Sequence, residues 1–448
     1  MPIPRTVHPD SHPSPDSAVV GKALAAACSS VRDGGLADAF EGVTPSFVAS
    51  PESTEEAAAL VRVAAEHDLA VVPRGSGSRL GSGSHLGWGM PPARADLVVE
   101  TLRMDKVIEH AAGDLVVRVQ AGTRMGDLAE VLAVAGQEVA LDVPTTCTAG
   151  GMVATGLAGP RRLRYGSPRD LLIGITIVRA DGTVAKSGGK VVKNVAGYDL
   201  GKLFAGSWGT LGLITEVTFR LHPLPGARAY VTASFADASA ACVAVAGAAA
   251  SPLVPSAVEL GRSAPGGPLQ VGVLLEGSAD GVAARAELMA GLLAEAGAGS
   301  GAGSASVFAG TPSWWPGAPA ADGGTLIQVS FWVSALASVL GVIDEAARSL
   351  DVTAAISGAA GAGVLYVALP ADVAADVSAR FAGALRRTLS HERGHVVVLA
   401  APAAVRTALG EHGGMTGPVP SVRLMRAVKD QFDPGGRLSP GRFPAEGA

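Results

Sequence analysis

Pro144-Thr145-Thr146-Cys147-Thr148-Ala149-Gly150-Gly151, Gly159-Pro160-Arg161-Arg162-Leu163-Arg164-Tyr165-Gly166, Lys193-Asn194-Val195-Ala196-Gly197-Tyr198-Asp199-Leu200 and Gly209-Thr210-Leu211-Gly212 follow one another between Val143 and His222. Together these glycine-bearing turns offer many backbone N–H donors within one unit, because glycine reaches the positive φ angles that turn amides inward. Such a set suits a large anionic ligand such as a dinucleotide. Upstream, Pro73-Arg74-Gly75-Ser76-Gly77-Ser78 follows an apolar run and adds a further glycine loop.

Working outward, Phe47 to Arg74 reads as a β-α-β start. A short strand is followed by Ser53-Thr54-Glu55-Glu56, a capping box for an Ala-rich helix to His67, and then by a strand over Ala70 to Pro73. Strands are expected over Leu97 to Glu100, Lys106 to His110 and Leu115 to Gln120, then a helix over Arg124 to Val134 and a strand near Val139 to Leu141. Leu171 to Ala180 ends in Asp181-Gly182, a hairpin signal with Val184 to Lys186 as its partner. Leu213 to Leu221 alternates apolar and polar residues and closes the unit at Pro223-Leu224-Pro225.

From Ala229 to Val422 Ala-rich helices alternate with strands such as Leu269 to Leu275, Thr325 to Val333, Gly363 to Leu369 and His395 to Leu399. The fold class is α+β. The expected division is an arm and first helix over 1–44, a cofactor unit over 45–225, a cap-like α+β domain over 226–422, and a C-terminal segment over 423–448 that returns to the cofactor unit. Within that segment Leu424 to Phe432 reads as a helix stopped by Asp433-Pro434-Gly435-Gly436.

A length of 448 residues allows two or three domains with separate cores. Lys plus Arg number 35 against 40 Asp plus Glu, so no basic surplus points to nucleic acid or an anionic membrane. The most apolar stretches are interrupted before the roughly 18 to 20 residues that a spanning helix needs. The first thirty residues are rich in proline and lack a basic-then-apolar leader, so they read as a floppy arm up to Asp16. The expected location is cytoplasmic, or peripheral to the inner face of a membrane through partners. Cys28, Cys147 and Cys242 fit neither a disulfide framework nor a Cys-x-x-Cys metal site and are expected as reduced thiols.

Competing chemistries fall on spacing. Gly75, Gly77 and Gly81 follow a strand, but Ser82-Gly83-Ser84 cannot begin the helix that a Rossmann fingerprint requires. Gly189-Lys190 is no phosphate-binding ATPase loop, since Val184 stands at the upstream glycine position and Val191 where Ser or Thr must hold magnesium. The histidines form no His-x-His or helical His-x-x-x-His pair, and no Gly-x-Ser-x-Gly elbow comes with a plausible triad.

The order of these motifs resembles the vanillyl-alcohol-oxidase-type (PCMH-type) FAD-binding module. Gly159 to Gly166, Gly188 to Pro223 and the tail Phe432-Asp433-Pro434-Gly435-Gly436-Arg437-Leu438-Ser439-Pro440-Gly441-Arg442-Phe443 are similar, within it, to the smaller FAD-binding subunit of bacterial glycolate oxidases. The resemblance implies a two-subdomain FAD fold with the pyrophosphate on Pro73, Arg74, Gly75, Ser76, Gly77 and Ser78 and on Pro144, Thr145, Thr148, Gly150 and Gly151. Gly212 and Ile214 would run beside the flavin or adenine. Relatives with covalent flavin carry a histidine where this chain has Ser78, which implies a non-covalent FAD. The wider family's tail reads Asn-Pro-Gly, and Ser439 replaces the Asn.

The catalytic relatives also carry a His-Gly-Asp-Gly-Asn-x-His segment that binds metal and hydroxyacid. This chain lacks it, so the resemblance implies that the substrate machinery is lost. The expected function is an FAD-binding subunit of a glycolate (2-hydroxyacid) oxidase or dehydrogenase complex, with a catalytic FAD-binding subunit and an iron–sulfur subunit as partners. A stand-alone FAD-dependent dehydrogenase of another alcohol or hydroxyacid, or a non-redox assembly subunit, are the alternatives. Candidate catalytic residues are Arg164, Lys193 and Tyr198, weighed against surface ion pairs and turn caps; no metal ligand is expected. One of Arg161, Arg162, Arg164 and Arg169 is expected to face the cofactor site.

Overall fold

The computed structural model describes residues 17–81, 87–189, 198–263, 266–298, 305–315, 323–389 and 394–442. The arm before Ser17 therefore lies outside the described residues. Ser53 Oγ accepts from the Glu56 amide at 3.1 Å and starts the helix Thr54–Glu66, while Glu56 Oε2 accepts from the Glu52 amide at 2.8 Å. The expected capping box is thus present with its return bond one residue further back. The helix buries Ala57, Leu60, Val61 and Ala64 against a four-stranded sheet in the order Val31–Asp33, Phe47–Ala49, Leu97–Glu100, Val71–Arg74. Its last three strands are parallel, so their carboxyl ends gather on one side of the unit.

A second sheet is antiparallel, ordered Val107–Ala111, Val116–Gln120, Leu213–Arg220, Leu172–Val178, Val184–Gly188. The helices Met125–Ala133 and Ala149–Thr155 contribute Leu128, Leu132, Met152 and Val153 to its core. The expected strand over Val139 to Leu141 is instead the pair Gln137–Glu138 with His222–Pro223. Val139 and Leu141 are still buried, but the Leu141 amide bonds back to the Val139 carbonyl and turns the chain away.

The third sheet has eight antiparallel strands in the order Ser306–Phe308, Ala227–Phe235, Leu269–Gly277, Ala257–Arg262, Ala355–Gly358, Val364–Leu369, Thr325–Ser330, His395–Ala400. The period of two separates its faces. Leu365, Val367 and Leu369 join the core under the helices Ala238–Ala249, Ala279–Ala296, Leu336–Leu350 and Ala375–Leu389, whereas Val364, Tyr366 and Ala368 face Trp88 of the cofactor unit. Strand Thr325–Ser330 stops short of the expected Val333, because the Phe331 amide bonds to the Gly363 carbonyl and Val333–Ala335 forms a 3-10 turn.

The C-terminal helix Val422–Phe432 and the residues after it contact the strands and turns of the first two sheets. Phe432 stacks edge-on against Phe204, and Leu438 pairs with Val71. Buried Lys429 Nζ donates to Asp433 Oδ2 at 2.5 Å and to the Thr210 carbonyl at 2.8 Å. Among the described residues no helix is long and apolar enough to cross a membrane.

Candidate functional site

Strand Val71–Arg74 delivers the glycine loop to the carboxyl ends of the parallel strands. Arg74 Nη2 donates to Asp38 Oδ1 at 2.9 Å and lies 3.2 Å from Glu100 Oε1, so the base of the loop is held by two carboxylates. Asp38 also takes Arg32 Nη1 at 2.7 Å, and hydrogen bonds from Arg32 and then Arg74 hold its carboxyl well below the usual range against the opposing effect of burial.

Beyond Arg74 the amides of Gly75, Ser76, Gly77 and Ser78 have no hydrogen-bond partner among the described residues. Gly75 sits so close to Thr148 that a Cβ there would lie 2.2 Å from Oγ1. Gly77, at φ +75°, holds a left-handed turn that aims its neighbours inward. Thr148 in turn caps the helix Ala149–Thr155, its Oγ1 accepting from the Gly151 amide at 3.3 Å.

These loops close on one cleft. Pro73, Arg74, Gly75, Ser76, Gly77, Ser78, Gly150, Gly151, Gly212 and Ile214 all line it, together with Cys147. Pro144 lies next door, lining a cavity of about 1130 Å³, while Thr148 supports the cleft from behind and Thr145 lines neither space. Arg74 through Leu80 borders both spaces and forms the partition between them.

The larger cavity lies between this loop and the open face of the eight-stranded sheet, which contributes Tyr230, Glu259, Leu326 and Tyr366. Glu259 is 1% exposed, its Oε1 has no partner, and burial pushes its carboxyl up to about 8, with Arg162 only partly opposing that. At neutral pH it is mainly a neutral acid. Cys147 is buried, and desolvation raises its thiol above the usual range, so it is no thiolate.

The arginine cluster divides sharply. Arg162 lines the large cavity, its Nη2 donating to the Tyr366 hydroxyl at 3.3 Å. Arg161 is buried in ion pairs with Glu138 and Asp142, each at 2.7 Å, and with Glu276 at 3.4 Å. Burial opposes the Arg161 charge, but Asp142 and Glu138 outweigh it and raise its pKa. The remaining two point elsewhere: Arg164 reaches the Val254 carbonyl and Arg169 the Lys202 carbonyl.

Neither Arg164 nor Tyr198 lines the cavity or the cleft; Tyr198 is 92% exposed. Arg164 precedes Tyr165, whose hydroxyl donates to Glu276, and its own Nη1 reaches the Val254 carbonyl instead. Lys193 lies outside the described residues. Trp315 packs against Tyr230 at 4.8 Å at the cavity edge, and its neighbour Trp314 lies over Gly261 and Gly272 of the same sheet. Ser439 is buried at φ +46°, its amide bonded to the Val71 carbonyl, and serves to dock the tail on the loop-bearing strand.

Sequence reasoning did not single out Arg79, Glu259 or Tyr366. Arg79 hid in a glycine- and serine-rich loop read for its backbone. Glu259 carried a signal, being the one acid in the otherwise apolar Ala257-Val258-Glu259-Leu260.

Residues 45–188 match the family model for the FAD binding domain. Glycolate oxidase subunit GlcD of Bacillus subtilis (strain 168) is 33% identical over 217 residues, 48% of this chain and 45% of that protein. Glycolate oxidase subunit GlcE of Escherichia coli (strain K12) is 39% identical over 150 residues, 33% of this chain and 42% of that protein. D-lactate dehydrogenase [cytochrome] 1, mitochondrial, of Saccharomyces cerevisiae is 33% identical over 193 residues, 43% of this chain and 32% of that protein. The matches therefore span less than half the length of these relatives. Among solved structures, p-cresol methylhydroxylase with substrate bound superposes with a TM-score of 0.70 at 15% identity, covering 96% of each chain. Chitooligosaccharide oxidase superposes at 0.64 and 16%, covering 95% of this chain and 98% of that one. These likenesses establish the fold: a PCMH-like FAD-binding unit with its second domain.

Proposed function

We propose, from the premise that residues 45–188 belong to the FAD binding domain family, that this chain is the FAD-binding subunit of a glycolate (2-hydroxyacid) oxidase or dehydrogenase complex. The carrying observation is the convergence of the loops at Pro73–Ser78, Gly150–Gly151 and Gly212–Ile214 on one cleft that adjoins a cavity of about 1130 Å³. The residues present fit FAD. Four consecutive amides without partners among the described residues, Gly75 to Ser78, make a cradle for a diphosphate. Side chains are excluded where the backbone must come close, since Gly75 has no room for a Cβ beside Thr148. Ser78, standing where relatives with covalent flavin carry a histidine, supports a non-covalent FAD.

When bound, FAD supplies a two-electron acceptor for a hydride equivalent from the substrate's α-carbon. The chain's own residues hold, orient and enclose. Arg74 is pinned by Asp38 and Glu100 and keeps the loop in register. The sheet face with Tyr230, Leu326 and Tyr366 forms one wall of the cavity. Glu259, neutral at pH 7, is placed to exchange a proton with a polar group in that cavity.

Glycolate oxidation to glyoxylate releases two electrons and two protons. In this reading the electrons leave through a catalytic FAD-binding subunit and an iron–sulfur subunit. Similarity to both GlcD and GlcE supports a place in such an assembly. The test is anaerobic addition of glycolate to the purified yellow chain, alone and then with both partner subunits. Bleaching of this chain's flavin only in the assembled complex supports the subunit reading. Bleaching of the isolated chain at a useful rate would make it a stand-alone dehydrogenase, and flavin that stays oxidised during turnover of the complex would leave only an assembly role.

A further inference from the structure

Arg79 is a partly buried cation with no counterion among the described residues. Its guanidinium lies over the Trp88 ring at 4.1 Å from the centroid, and its Nε is buried with no hydrogen-bond partner. Among the described residues, the groups close enough to favour its charge are the Cys147 thiol and the Tyr366 phenol. Neither is a carboxylate, so no acidic side chain among the described residues answers it. The contrast with its neighbours is sharp: Arg74 is paired with Asp38 and Glu100, and Arg161 with Glu138, Asp142 and Glu276. A desolvated guanidinium is costly unless an anion accompanies it, and its planar fork matches an oxyanion's two oxygens.

Position narrows the anion. Arg79 belongs to both linings, on the partition between the cleft and the large cavity. The facing wall carries the Tyr366 hydroxyl, already hydrogen-bonded to Arg162, and the unpartnered Glu259. Arg79 therefore meets a space bordered by donors, at the edge where a cofactor in the cleft would meet a small molecule in the cavity. The amides of Gly75 to Ser78 already provide for a diphosphate within the cleft.

We propose that Arg79 is the receptor for the carboxylate of a small 2-hydroxyacid bound in this chain's own large cavity. The inference rests on the FAD-linked hydroxyacid reading. It restores to this chain one element of the substrate machinery that the sequence resemblance implied was lost. Tyr366 and Arg162 would border the remainder of the ligand, with Trp88 fixing the plane of the guanidinium.

The probe is 2-hydroxyisobutyrate, which has the carboxylate and hydroxyl but no α-hydrogen and cannot be oxidised by hydride loss, and its neutral amide. Each is titrated into the full-length chain reconstituted with FAD, following the flavin difference spectrum and tryptophan emission. The wild type should bind the acid saturably and the amide at least about tenfold more weakly. Arg79→Met should lose at least about tenfold in affinity for the acid, Arg79→Lys should fall between, and all three should keep the same FAD content.

Three results overturn the proposal: a wild type that shows no saturable response to the acid, an Arg79→Met variant that binds it as wild type does, or a variant that loses FAD while acid and amide bind alike. The last would assign the cation to the cofactor's phosphates. The underlying reading fails separately, when wild type binds the acid yet glycolate never reduces its flavin in the assembled complex.

Discussion

Gly75 and Thr148 meet where two loops of the cofactor unit cross, so closely that a methyl group on Gly75 would lie 2.2 Å from the threonine Oγ1 and 3.2 Å from its Cβ. The same Thr148 oxygen accepts from the Gly151 amide. The contact ties the loop after strand Val71–Arg74 to the start of the helix Ala149–Thr155, and thereby sets the width of the cleft.

Gly75→Ala should therefore push the two loops apart and cut FAD affinity at least about tenfold, read as the flavin-to-protein absorbance ratio after dialysis. Gly291→Ala is the control. It lies in the helix Ala279–Ala296 with nothing within 4 Å of its added Cβ. That substitution should leave flavin content unchanged and stabilise the helix by about 1 kcal/mol.

Arg161 binds the cofactor unit to the eight-stranded sheet through Glu138, Asp142 and Glu276, with Glu276 fully enclosed. Removing this cation leaves Glu276 and Glu138 only Arg228, at 2.9 and 3.6 Å, and leaves Asp142 without its ion pair. Arg161→Met should destabilise the protein by about 2–3 kcal/mol. Arg164→Met, at an exposed arginine reaching the Val254 carbonyl at 3.5 Å, should change stability by less than about 1 kcal/mol. Urea unfolding of the two variants side by side checks the contrast.

Glu259 is protonated in the folded protein up to about pH 8 and ionised in the unfolded chain above its ordinary value. Between those two points the unfolded state binds fewer protons, so this residue makes stability fall as pH rises, and the loss levels off above the folded value. Glu259→Gln should remove that slope. Its melting temperature should exceed the wild-type value by a few degrees at pH 8 and match it near pH 4.5. Equal pH profiles for the two proteins would contradict the assignment.

Asp38 titrates in the opposite sense. Hydrogen bonds from Arg32 and Arg74 depress its folded pKa, so its contribution is present above the ordinary carboxylate value and lost as pH falls toward the folded one. Asp38→Asn should lower stability at neutral pH by about 1–3 kcal/mol. It should also show a weaker acid-induced decline than wild type in scanning calorimetry.

Much of this was legible in the residues themselves. Ser53 and Glu56 announced the helix Thr54–Glu66, Asp181-Gly182 the hairpin, and the glycine loops the cleft, because caps and turns are local and each demands particular side chains. The order of the eight-stranded sheet was not legible, since it depends on pairings such as Leu260 with Gly358 that are remote in sequence. Arg164 resembled a site residue by its neighbours, but one position along the turn exchanges the cavity, where Arg162 lies, for the buried ion-pair cluster of Arg161. Glu259 and Arg79 owe their character to what surrounds them after folding: one carboxyl deprived of water and one guanidinium deprived of a partner.

The most direct test of the central claim is the flavin content of the purified full-length chain after mild acid denaturation. The account predicts a yellow protein that releases close to one FAD per chain into the supernatant, with no flavin left on the precipitate. A colourless chain that takes up no added FAD, or flavin that remains attached to the denatured polypeptide, would contradict it.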